Sequence, residues 1–262
     1  MDKIKLGDTG IQVSPIGLGT VKFGRNQGIK YPQNFEIPSE DDLADILRLT
    51  QSLGINMLDT APAYGLSEER LGRLLNGQRD EWIIVGKVGE EFEDGISSHN
   101  FTPDHFKYSI ERSLKRLDTD YIDVMLIHSD GNDMDILKND ALIRTMHDYK
   151  DQGIIHAHGA STKTPEGGIK TLELMDVVMA TYNPEYTDEK PVLDYAEKHN
   201  KGTLLKKALS SGHNTNIDQA LEFAFGHAGT NSIIIGTINP KHLKENVEAV
   251  KRARSNLHLQ AG

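Results

Sequence analysis

Four polar side chains stand at the ends of short apolar runs: Asp59, Lys87, His128 and Ser161. A fifth, Tyr64, follows Asp59 by five residues. A carboxylate, an ammonium, an imidazole and a phenol can together hold and move a proton, provided that they meet in space. Each group taken alone is also compatible with a charge that reaches solvent at the rim of a sheet. Because burying Lys or His without a partner is costly, four such ends on neighbouring strands favour one shared polar site.

The elements that would position these side chains alternate regularly along the chain. Eight short Ile- and Val-rich runs predict strands, and the amphipathic segments between them predict helices. The predicted strands cover residues 15–20, 56–60, 82–87, 122–128, 154–161, 177–182, 202–206 and 232–236. The predicted helices lie near residues 40–53, 67–76, 103–117, 139–151, 164–175, 190–199, 216–227 and 240–252. The helix at 103 has clear start signals, with Thr102 at the N-cap and Pro103 at the first helical position.

Eight alternating strands and helices predict an α/β protein, a (β/α)8 TIM barrel whose catalytic groups sit at the C-terminal strand ends. An open doubly wound sheet is the alternative, but it would carry a Gly-rich turn after its first strand. Gly17-Leu18-Gly19 is only a fragment of that turn, because Lys22 stands where the third glycine is needed. Residues 4–13 predict a β-hairpin that would cap the barrel bottom. We expect a single domain over residues 1–262.

Composition excludes several classes of function. The 262 residues include 29 Lys and Arg against 39 Asp and Glu, a formal net charge of −10, and 37% are hydrophobic. This balance argues against nucleic-acid and anionic-membrane partners, which need clustered basic residues. The lack of cysteine excludes disulfides and thiolate chemistry. No apolar run approaches the ~18 residues of a membrane span and residues 1–5 lack a signal-peptide core, so we expect a cytoplasmic protein with a small-molecule substrate and an open oligomeric state.

The sequence around the second predicted strand resembles the signature of the aldo-keto reductase superfamily. It reads Gly54-Ile55-Asn56-Met57-Leu58-Asp59-Thr60-Ala61-Pro62-Ala63-Tyr64-Gly65, followed by Ser67-Glu68-Glu69 and Leu71-Gly72. Other stretches similar to that family are Gly17-Leu18-Gly19-Thr20, Val85-Gly86-Lys87, Leu126-Ile127-His128, Gly159-Ala160-Ser161, Ile235-Gly236-Thr237 and Glu245-Asn246. The resemblance covers essentially the whole chain. It implies a (β/α)8 barrel that binds NADPH, less often NADH, and reduces aldehydes and ketones to alcohols or runs the reverse.

The resemblance also implies a catalytic tetrad of Asp59, Tyr64, Lys87 and His128. Tyr64 would donate a proton to the carbonyl oxygen as hydride arrives from the nicotinamide. The Lys87 ammonium would lower the pKa of that phenol from its usual value of ~10, and Asp59 would keep Lys87 charged and aimed. His128 would orient the carbonyl or assist the proton transfer.

The implied cofactor site draws on several strand ends and on the last helix. Its residues are Thr20, Val21, Asp59, Ser161, Thr162, Met179, Lys206, Leu209, Gly236, Thr237, Asn239, His242, Glu245 and Asn246. Met179 replaces a Gln that contacts the nicotinamide, Lys206 replaces an aromatic that stacks on it, and His242 replaces an Arg that grips the 2′-phosphate. We expect Lys206 to reach the pyrophosphate instead. NADPH is the expected cofactor and NADH the alternative.

Two rival functions stay open. The first is a catalytically weak, NADPH-binding regulatory or redox-sensing protein of the same fold, which the changes at Met179 and Lys206 keep in view. The second is a metal-dependent barrel hydrolase built on His128, His156 and His158, although no metal site is expected.

Further features have plainer interpretations. The acidic stretch 90–94 is expected to be a solvated loop, and Trp82 is expected to pack in the core. The remaining histidines outside strands, at positions 147, 213, 227 and 258, are expected at the surface. Because the sequence stops soon after the last predicted helix, the substrate site is expected to be open and tolerant.

Overall fold

The computed structural model describes residues 1–29, 34–212 and 216–260, and its strands form a closed eight-stranded barrel. In chain order the strands are β1 (Ile4–Lys5), β2 (Gln12–Val13), β3 (Ile16–Gly19), β4 (Met57–Asp59), β5 (Ile83–Val88), β6 (Glu90–Glu93), β7 (Ile96–His99), β8 (Ile122–His128), β9 (Ile155–Ser161), β10 (Val177–Thr181), β11 (Gly202–Lys206) and β12 (Ser232–Ile235). The barrel runs β3-β4-β5-β8-β9-β10-β11-β12, and β12 pairs in parallel with β3 to close it. The predicted (β/α)8 barrel is confirmed.

Helices surround the barrel and connect its strands. They are α1 (Val21–Gly24), α2 (Glu40–Ser52), α3 (Ser67–Leu74), α4 (Pro103–Leu117), α5 (Asp133–Leu137), α6 (Asp140–Asp151), α7 (Pro165–Leu174), α8 (Lys190–His199), α9 (Ile217–Phe225) and α10 (Pro240–Gln260). Short 3₁₀ turns cover Pro62–Tyr64, Arg79–Glu81 and Ser210–Gly212. All eight predicted strands are present, and each end agrees within one residue. The last helix is longer than predicted.

Helix α4 shows why these segments fold as they do. The Thr102 hydroxyl accepts a hydrogen bond from the His105 backbone N–H at 3.3 Å, and this caps the first turn as predicted. The apolar side chains of Phe106, Ile110 and Leu117 recur at helical spacing and are fully buried against the barrel. Each such burial stabilises the fold by about 1.5–3 kcal/mol relative to exposure. The helix is therefore held by one capped end and one apolar face.

The N-terminal hairpin closes the bottom of the barrel, as predicted. Strands β1 and β2 pair antiparallel, and Leu6, Ile11 and Val13 pack with the side chains inside the barrel. Those interior side chains are Met57, Val85, Val124, Leu126, Ala157, Val177, Met179 and Leu204. At Gly7, where φ is +54°, a Cβ would lie 2.3 Å from the backbone nitrogen of Gly202. Only glycine lets the hairpin approach the barrel this closely.

The acidic stretch after β5 is not a solvated loop, and this prediction is wrong. Strands β6 and β7 form an antiparallel hairpin in which Glu93 pairs with Ile96. The two-residue turn between them is Asp94-Gly95, with φ of +50° and +82°. Asp-Gly is a strong signal for this kind of tight turn, because both positions need positive φ. The hairpin stands at the C-terminal end of β5, on the side of the barrel that carries the polar strand ends.

Two histidines expected at the surface are instead tied into the structure. The side chain of His227 is 9% exposed, and its Nε2 lies 2.9 Å from Asp194 Oδ1. His147 is half-buried, with Nδ1 3.0 Å from Nε2 of His158. His147 lies within α6 and His227 follows α9, and each faces a neighbouring element. The residue type alone does not reveal this orientation. His213 and the side chain of His258 lie outside the described residues. Trp82 is buried in the core, as predicted.

Candidate active site

Three elements bring Asp59, Tyr64 and Lys87 together at the mouth of the barrel. Asp59 ends β4, Lys87 lies in β5 and Tyr64 ends the 3₁₀ turn that follows β4. Lys87 Nζ donates to Tyr64 Oη at 3.0 Å and to the Thr60 carbonyl at 3.1 Å, and it also pairs with Asp59 Oδ1. Tyr64 Oη donates to Asp59 Oδ2 at 3.3 Å. The ammonium thus has a partner for each of its three protons.

Burial governs the electrostatics of this group. Lys87 is 1% exposed and Asp59 is 4% exposed. Burial lowers the pKa of Lys87, while the Asp59 carboxylate opposes that shift. A buried ammonium is tolerated because its charge is paired and its donors are satisfied. The Nζ also lies 4.6 Å from the centre of the Tyr64 ring, so the cation faces both the phenol oxygen and the ring.

His128 completes the group and has a partner of its own. It is the last residue of β8, and its ring lies edge-on to that of Tyr64, with 6.3 Å between the ring centres. Its Nδ1 is 2.9 Å from Oε2 of Glu90, the first residue of the β6–β7 hairpin. Burial tends to raise the pKa of Glu90, but the hydrogen bond and charge of His128 outweigh it and lower that pKa to about 2. The carboxylate is therefore ionised.

Arg25 connects the hairpin to the 3₁₀ turn that ends at Tyr64. Its guanidinium lies 3.6 Å from the centre of the Phe92 ring, and Nη1 is 3.9 Å from Glu90 Oε1. Nη1 also donates to the carbonyl of Ala63, next to Tyr64, at 2.9 Å. One side chain thus connects the start of the hairpin with the turn that carries the phenol. Neither Glu90 nor Arg25 was a candidate from the sequence; the Asp94-Gly95 pair, which favours a tight hairpin turn, is the signal that could have found the hairpin.

Of the candidate cofactor residues, Ser161, Thr162 and Lys206 lie together across the barrel mouth. Ser161 ends β9 and pairs in register with His128 of β8, while Lys206 ends β11. Lys206 Nζ donates to Ser161 Oγ at 2.9 Å and to the Thr162 carbonyl at 2.5 Å. Met179 pairs in register with Ser161 and packs inside the barrel. The ammonium of Lys206 is thus hydrogen-bonded to the polar groups at the end of β9.

Lys206 has a buried acidic neighbour. Burial lowers the pKa of Lys206 to about 8, and the charge of Glu189 opposes the shift. Glu189 is 1% exposed, and burial raises its pKa to about 7, with Lys206 again opposing. Both groups therefore change charge close to neutral pH.

Of the remaining candidate residues, Thr20 and Val21 follow β3, Leu209 follows β11, and the others follow β12. The Thr20 hydroxyl is fully buried and donates to the Asp59 carbonyl at 2.8 Å, so it supports the end of β4. Val21 begins α1, and Leu209 packs against the core beyond β11. After β12, Asn239 Oδ1 accepts from the backbone N–H groups of Lys241 and His242 at 2.9 and 3.4 Å. The other candidates in this region are Gly236 and Thr237 before α10, and Glu245 and Asn246 within it.

Two buried polar atoms fit a nucleotide cofactor. Among the described residues, the buried side-chain oxygens without a hydrogen-bond partner include Thr162 Oγ1 and Asn246 Oδ1. Buried polar atoms are nearly always hydrogen-bonded, so an unsatisfied one calls for an explanation such as a bound ligand. Thr162 follows β9, and Asn246 lies in α10, which follows β12. The residues present therefore fit a nicotinamide nucleotide.

Asp133 ties together the loops that follow β8 and β9. Its Oδ2 accepts from the backbone N–H groups of Lys163 and Thr164 at 2.9 and 2.8 Å and from the Thr164 hydroxyl at 2.6 Å. Its Oδ1 pairs with the Ser129 hydroxyl, one residue beyond His128. This buried carboxylate holds the segment after His128 against the segment after Ser161.

Comparison with known proteins decides the family. The aldo/keto reductase family profile matches residues 15–219. The chain belongs to the aldo/keto reductase family. A solved structure from Pseudomonas aeruginosa, described as an aldo-keto reductase, is 50% identical, with a TM-score of 0.89 over 96% of this chain and 94% of that one. The family's members are oxidoreductases that use nicotinamide cofactors on small carbonyl compounds.

Curated relatives are more distant. The aldo-keto reductase YhdN of Bacillus subtilis is 31% identical over 219 residues, which cover 81% of this chain and 63% of YhdN. The NADH-specific methylglyoxal reductase of Escherichia coli is 27% identical over 198 residues, 70% of this chain and 59% of that enzyme. The chain thus spans about three fifths of the length of these two relatives.

The histidines of the metal hypothesis are not brought together in this aldo/keto reductase. His156 stacks on Tyr121, with 4.7 Å between ring centres. His158 lies behind the barrel wall, with Nδ1 2.8 Å from Asp176 Oδ2 and Nε2 on His147. His128 faces Glu90 at the mouth. Within residues 1–29, 34–212 and 216–260, no three His, Asp or Glu side chains are grouped as metal ligands.

Over the part of the chain that the structure describes, each helix is too short or too polar to cross a bilayer.

Proposed function

We propose that this chain reduces aldehydes or ketones to alcohols with NADPH, and that Tyr64 is the proton donor. The observation that carries the proposal is the hydrogen-bonded group of Asp59, Lys87 and Tyr64 at the barrel mouth, beside His128. When bound, the reduced nicotinamide supplies hydride to the carbonyl carbon. What this chain must supply is a proton for the carbonyl oxygen and polar groups that orient it.

Lys87 and Asp59 prepare Tyr64 for that task. The Lys87 ammonium donates to Tyr64 Oη at 3.0 Å, so it stabilises the phenolate that forms when the proton leaves. Asp59 accepts from Tyr64 and pairs with Lys87, which keeps the ammonium beside the oxygen. His128 lies beside Tyr64 at the barrel mouth, where its ring can orient the same oxygen. Polar groups fixed before the reaction need little rearrangement as negative charge develops on that oxygen.

The test of this proposal is Tyr64→Phe. We expect kcat for an aromatic aldehyde to fall by at least ~10², the lower end of what one acid–base group contributes. Cofactor Kd should change little, because the ring is retained and only the hydroxyl is lost. Tyr108→Phe is the matched control, since Tyr108 is 57% exposed on α4. Turnover of Tyr64→Phe at the wild-type level would refute the assignment.

A second candidate function rests on Lys206. Its ammonium is hydrogen-bonded to the hydroxyl of Ser161 and the carbonyl of Thr162. We propose that these two groups would otherwise contact the carboxamide of the nicotinamide. That arrangement favours a catalytically weak protein that binds NADPH as a redox sensor. Tight cofactor binding without turnover of any of a broad panel of aldehydes and ketones would support this function over the first.

A further inference from the structure

The contact between Glu90 and His128 has chemical consequences beyond packing. A carboxylate can only accept, so the ring nitrogen that faces it must carry the hydrogen. A neutral imidazole has one N–H, and the 2.9 Å separation between Nδ1 and the Glu90 carboxylate favours its placement on Nδ1. We propose that Glu90 is a positioning residue that holds this proton on Nδ1 of His128 and leaves Nε2 as an acceptor until the ring gains a second proton. The inference rests on the proposed function, because it assigns His128 Nε2 to the substrate oxygen.

The hairpin holds Glu90 in place. Gly89, with φ of +112°, turns the chain from β5 into β6, and a Cβ at this position would lie 2.8 Å from the Phe101 ring. Arg25 approaches Oε1 of Glu90 at 3.9 Å while Oε2 faces His128. The carboxylate is therefore fixed by the hairpin on one side and by a cation on the other. It cannot turn away without leaving both partners.

Charged groups from four elements act on His128. Glu90 on β6 favours the protonated ring, whereas Lys87 on β5 and Lys206 on β11 oppose it. Asp59 on β4 pairs with Lys87, and Tyr64 faces the ring edge-on. Burial is the largest influence, and the pKa of His128 is lowered from its ordinary value of 6.5. The ring is therefore neutral at pH 7, with its hydrogen on the nitrogen that faces Glu90.

This state of the ring suits one direction of the reaction better than the other. An unprotonated Nε2 accepts a hydrogen bond from an alcohol O–H, but it cannot donate to a carbonyl oxygen. Carbonyl reduction therefore gains a donor at Nε2 only when the ring is doubly protonated. Because one donor to a developing oxyanion is worth about 10²–10³ in rate, reduction should rise steeply as pH falls through the His128 titration.

The matched variants are Glu90→Gln and Glu93→Gln. Both remove one negative charge from the same strand, but Glu93 is exposed at the turn end of the hairpin. A Gln at position 90 can accept from Nδ1–H or donate to a bare Nδ1, so it permits either tautomer. A third variant, Glu90→Asp, keeps the charge and shortens the reach by one methylene. Circular dichroism and thermal unfolding would establish that each variant folds.

The first measurement is independent of turnover. In ¹⁵N-histidine spectra, the His128 signals are assigned by their loss in His128→Asn. We expect wild type and Glu93→Gln to show a protonated Nδ1 and a bare Nε2 at pH 8, and Glu90→Gln to show a mixture of tautomers. The imidazole pKa should fall in Glu90→Gln, as expected for loss of an adjacent opposite charge. A wild-type ring protonated on Nε2 at pH 8 would overturn the proposal.

The second measurement is the pH profile of kcat/KM for reduction of an aromatic aldehyde. We expect wild type and Glu93→Gln to lose rate together as pH rises through the His128 titration, and Glu90→Gln to give a flatter profile because Nε2–H becomes available to the neutral ring. A uniform loss at every pH would show a merely structural role and would refute the inference. If no variant, nor wild type, reduces any carbonyl, the proposed function fails, and the nitrogen spectra alone decide the role of Glu90.

Discussion

At the scale of single residues, Lys206 is the departure with the largest expected effect on cofactor chemistry. Its ammonium lies on Ser161 and Thr162, where we propose the nicotinamide carboxamide binds. An oxidised nicotinamide ring carries a positive charge and a reduced ring does not. A fixed cation beside the ring therefore disfavours the oxidised form, at a cost of about 1–4 kcal/mol at contact distance, depending on screening. Lys206 should make the protein prefer NADPH to NADP⁺.

We predict that Lys206→Met lowers the ratio of the Kd for NADP⁺ to the Kd for NADPH by about tenfold, which corresponds to ~1.4 kcal/mol. Because the pKa of Lys206 is lowered to about 8, the ammonium is present below pH 8 and lost above it. The wild-type preference should therefore shrink toward that of the variant between pH 7 and pH 9. Isothermal titration calorimetry with both cofactor forms measures this preference, with Lys207→Met as the control for an exposed neighbouring charge. Equal losses for the oxidised and reduced forms would indicate a pyrophosphate contact instead.

At the scale of elements, the first turn of α10 presents His242 as an exposed side chain. Asn239 caps this turn, and the free N–H groups and dipole of a helix N-terminus attract phosphate. We propose that the 2′-phosphate of NADPH binds here. A neutral imidazole holds a phosphate poorly, whereas an Arg offers a permanent charge and a two-point grip.

We therefore predict that the preference for NADPH over NADH is modest. His242→Arg should strengthen the preference, because a permanent charge with a two-point grip replaces the imidazole. The ratio of Kd values for the two cofactors, measured for wild type and the variant, tests this. His199→Arg, which adds a charge at the far end of α8, should leave the ratio unchanged. A strong wild-type preference that His242→Arg does not increase would contradict the account.

The β6–β7 hairpin shows where sequence reasoning at this scale stops. The Asp94-Gly95 turn was visible, but the flanking residues are mostly Glu, Ser and His, so no apolar alternation marked the strands. The hairpin is held by contacts with distant residues, among them Arg25, which lies 65 positions before Glu90, and Arg112 of α4, which pairs with Glu91. The partner of His128 was missed for the same reason, since a contact between distant residues is set by the assembled fold and not by local pattern.

At the scale of the whole molecule, the eight strands and their helices were predictable because barrel strands are buried on both faces and remain continuously apolar. The meeting of Asp59, Tyr64 and Lys87 followed from the rule that C-terminal strand ends share one face of a barrel. The position of Lys206 on Ser161 did not follow from the sequence, because it depends on the register of β9, β10 and β11. The single-domain expectation stays a prediction.

The free energy of unfolding should depend on Asp176, which joins β9 to α6. Burial tends to raise the pKa of Asp176, but hydrogen bonds from His158 and Lys150 outweigh it and hold the pKa below its ordinary value of 3.8. A carboxyl with a depressed folded-state pKa stabilises the fold above its unfolded pKa, and this contribution is lost as pH falls further. Stability should therefore decline below about pH 4.

We predict that Asp176→Asn lowers the free energy of unfolding at pH 7 by about 2–3 kcal/mol, the range for hydrogen bonds to charged groups. Its decline between pH 5 and pH 3 should be shallower than that of wild type, because one titrating group is gone. Urea denaturation at several pH values measures both. Asp151→Asn, an exposed neighbour on α6, should change stability by less than ~0.5 kcal/mol. Parallel acid curves for wild type and Asp176→Asn would show that other groups control the decline.

Because Trp82 is buried, its fluorescence reports on the fold of the barrel rather than on events at the barrel mouth. It is the only tryptophan, it is 1% exposed, and it sits at the end of β5 opposite Lys87. Trp82 lies just before β5, and Lys87 follows it by five positions of extended chain, a span of ~16 Å. The emission wavelength of Trp82 should therefore shift when the barrel unfolds and stay unchanged when a ligand enters the mouth. A change in tryptophan emission wavelength on adding cofactor would then mean that the barrel itself, and not only its rim, responds to binding.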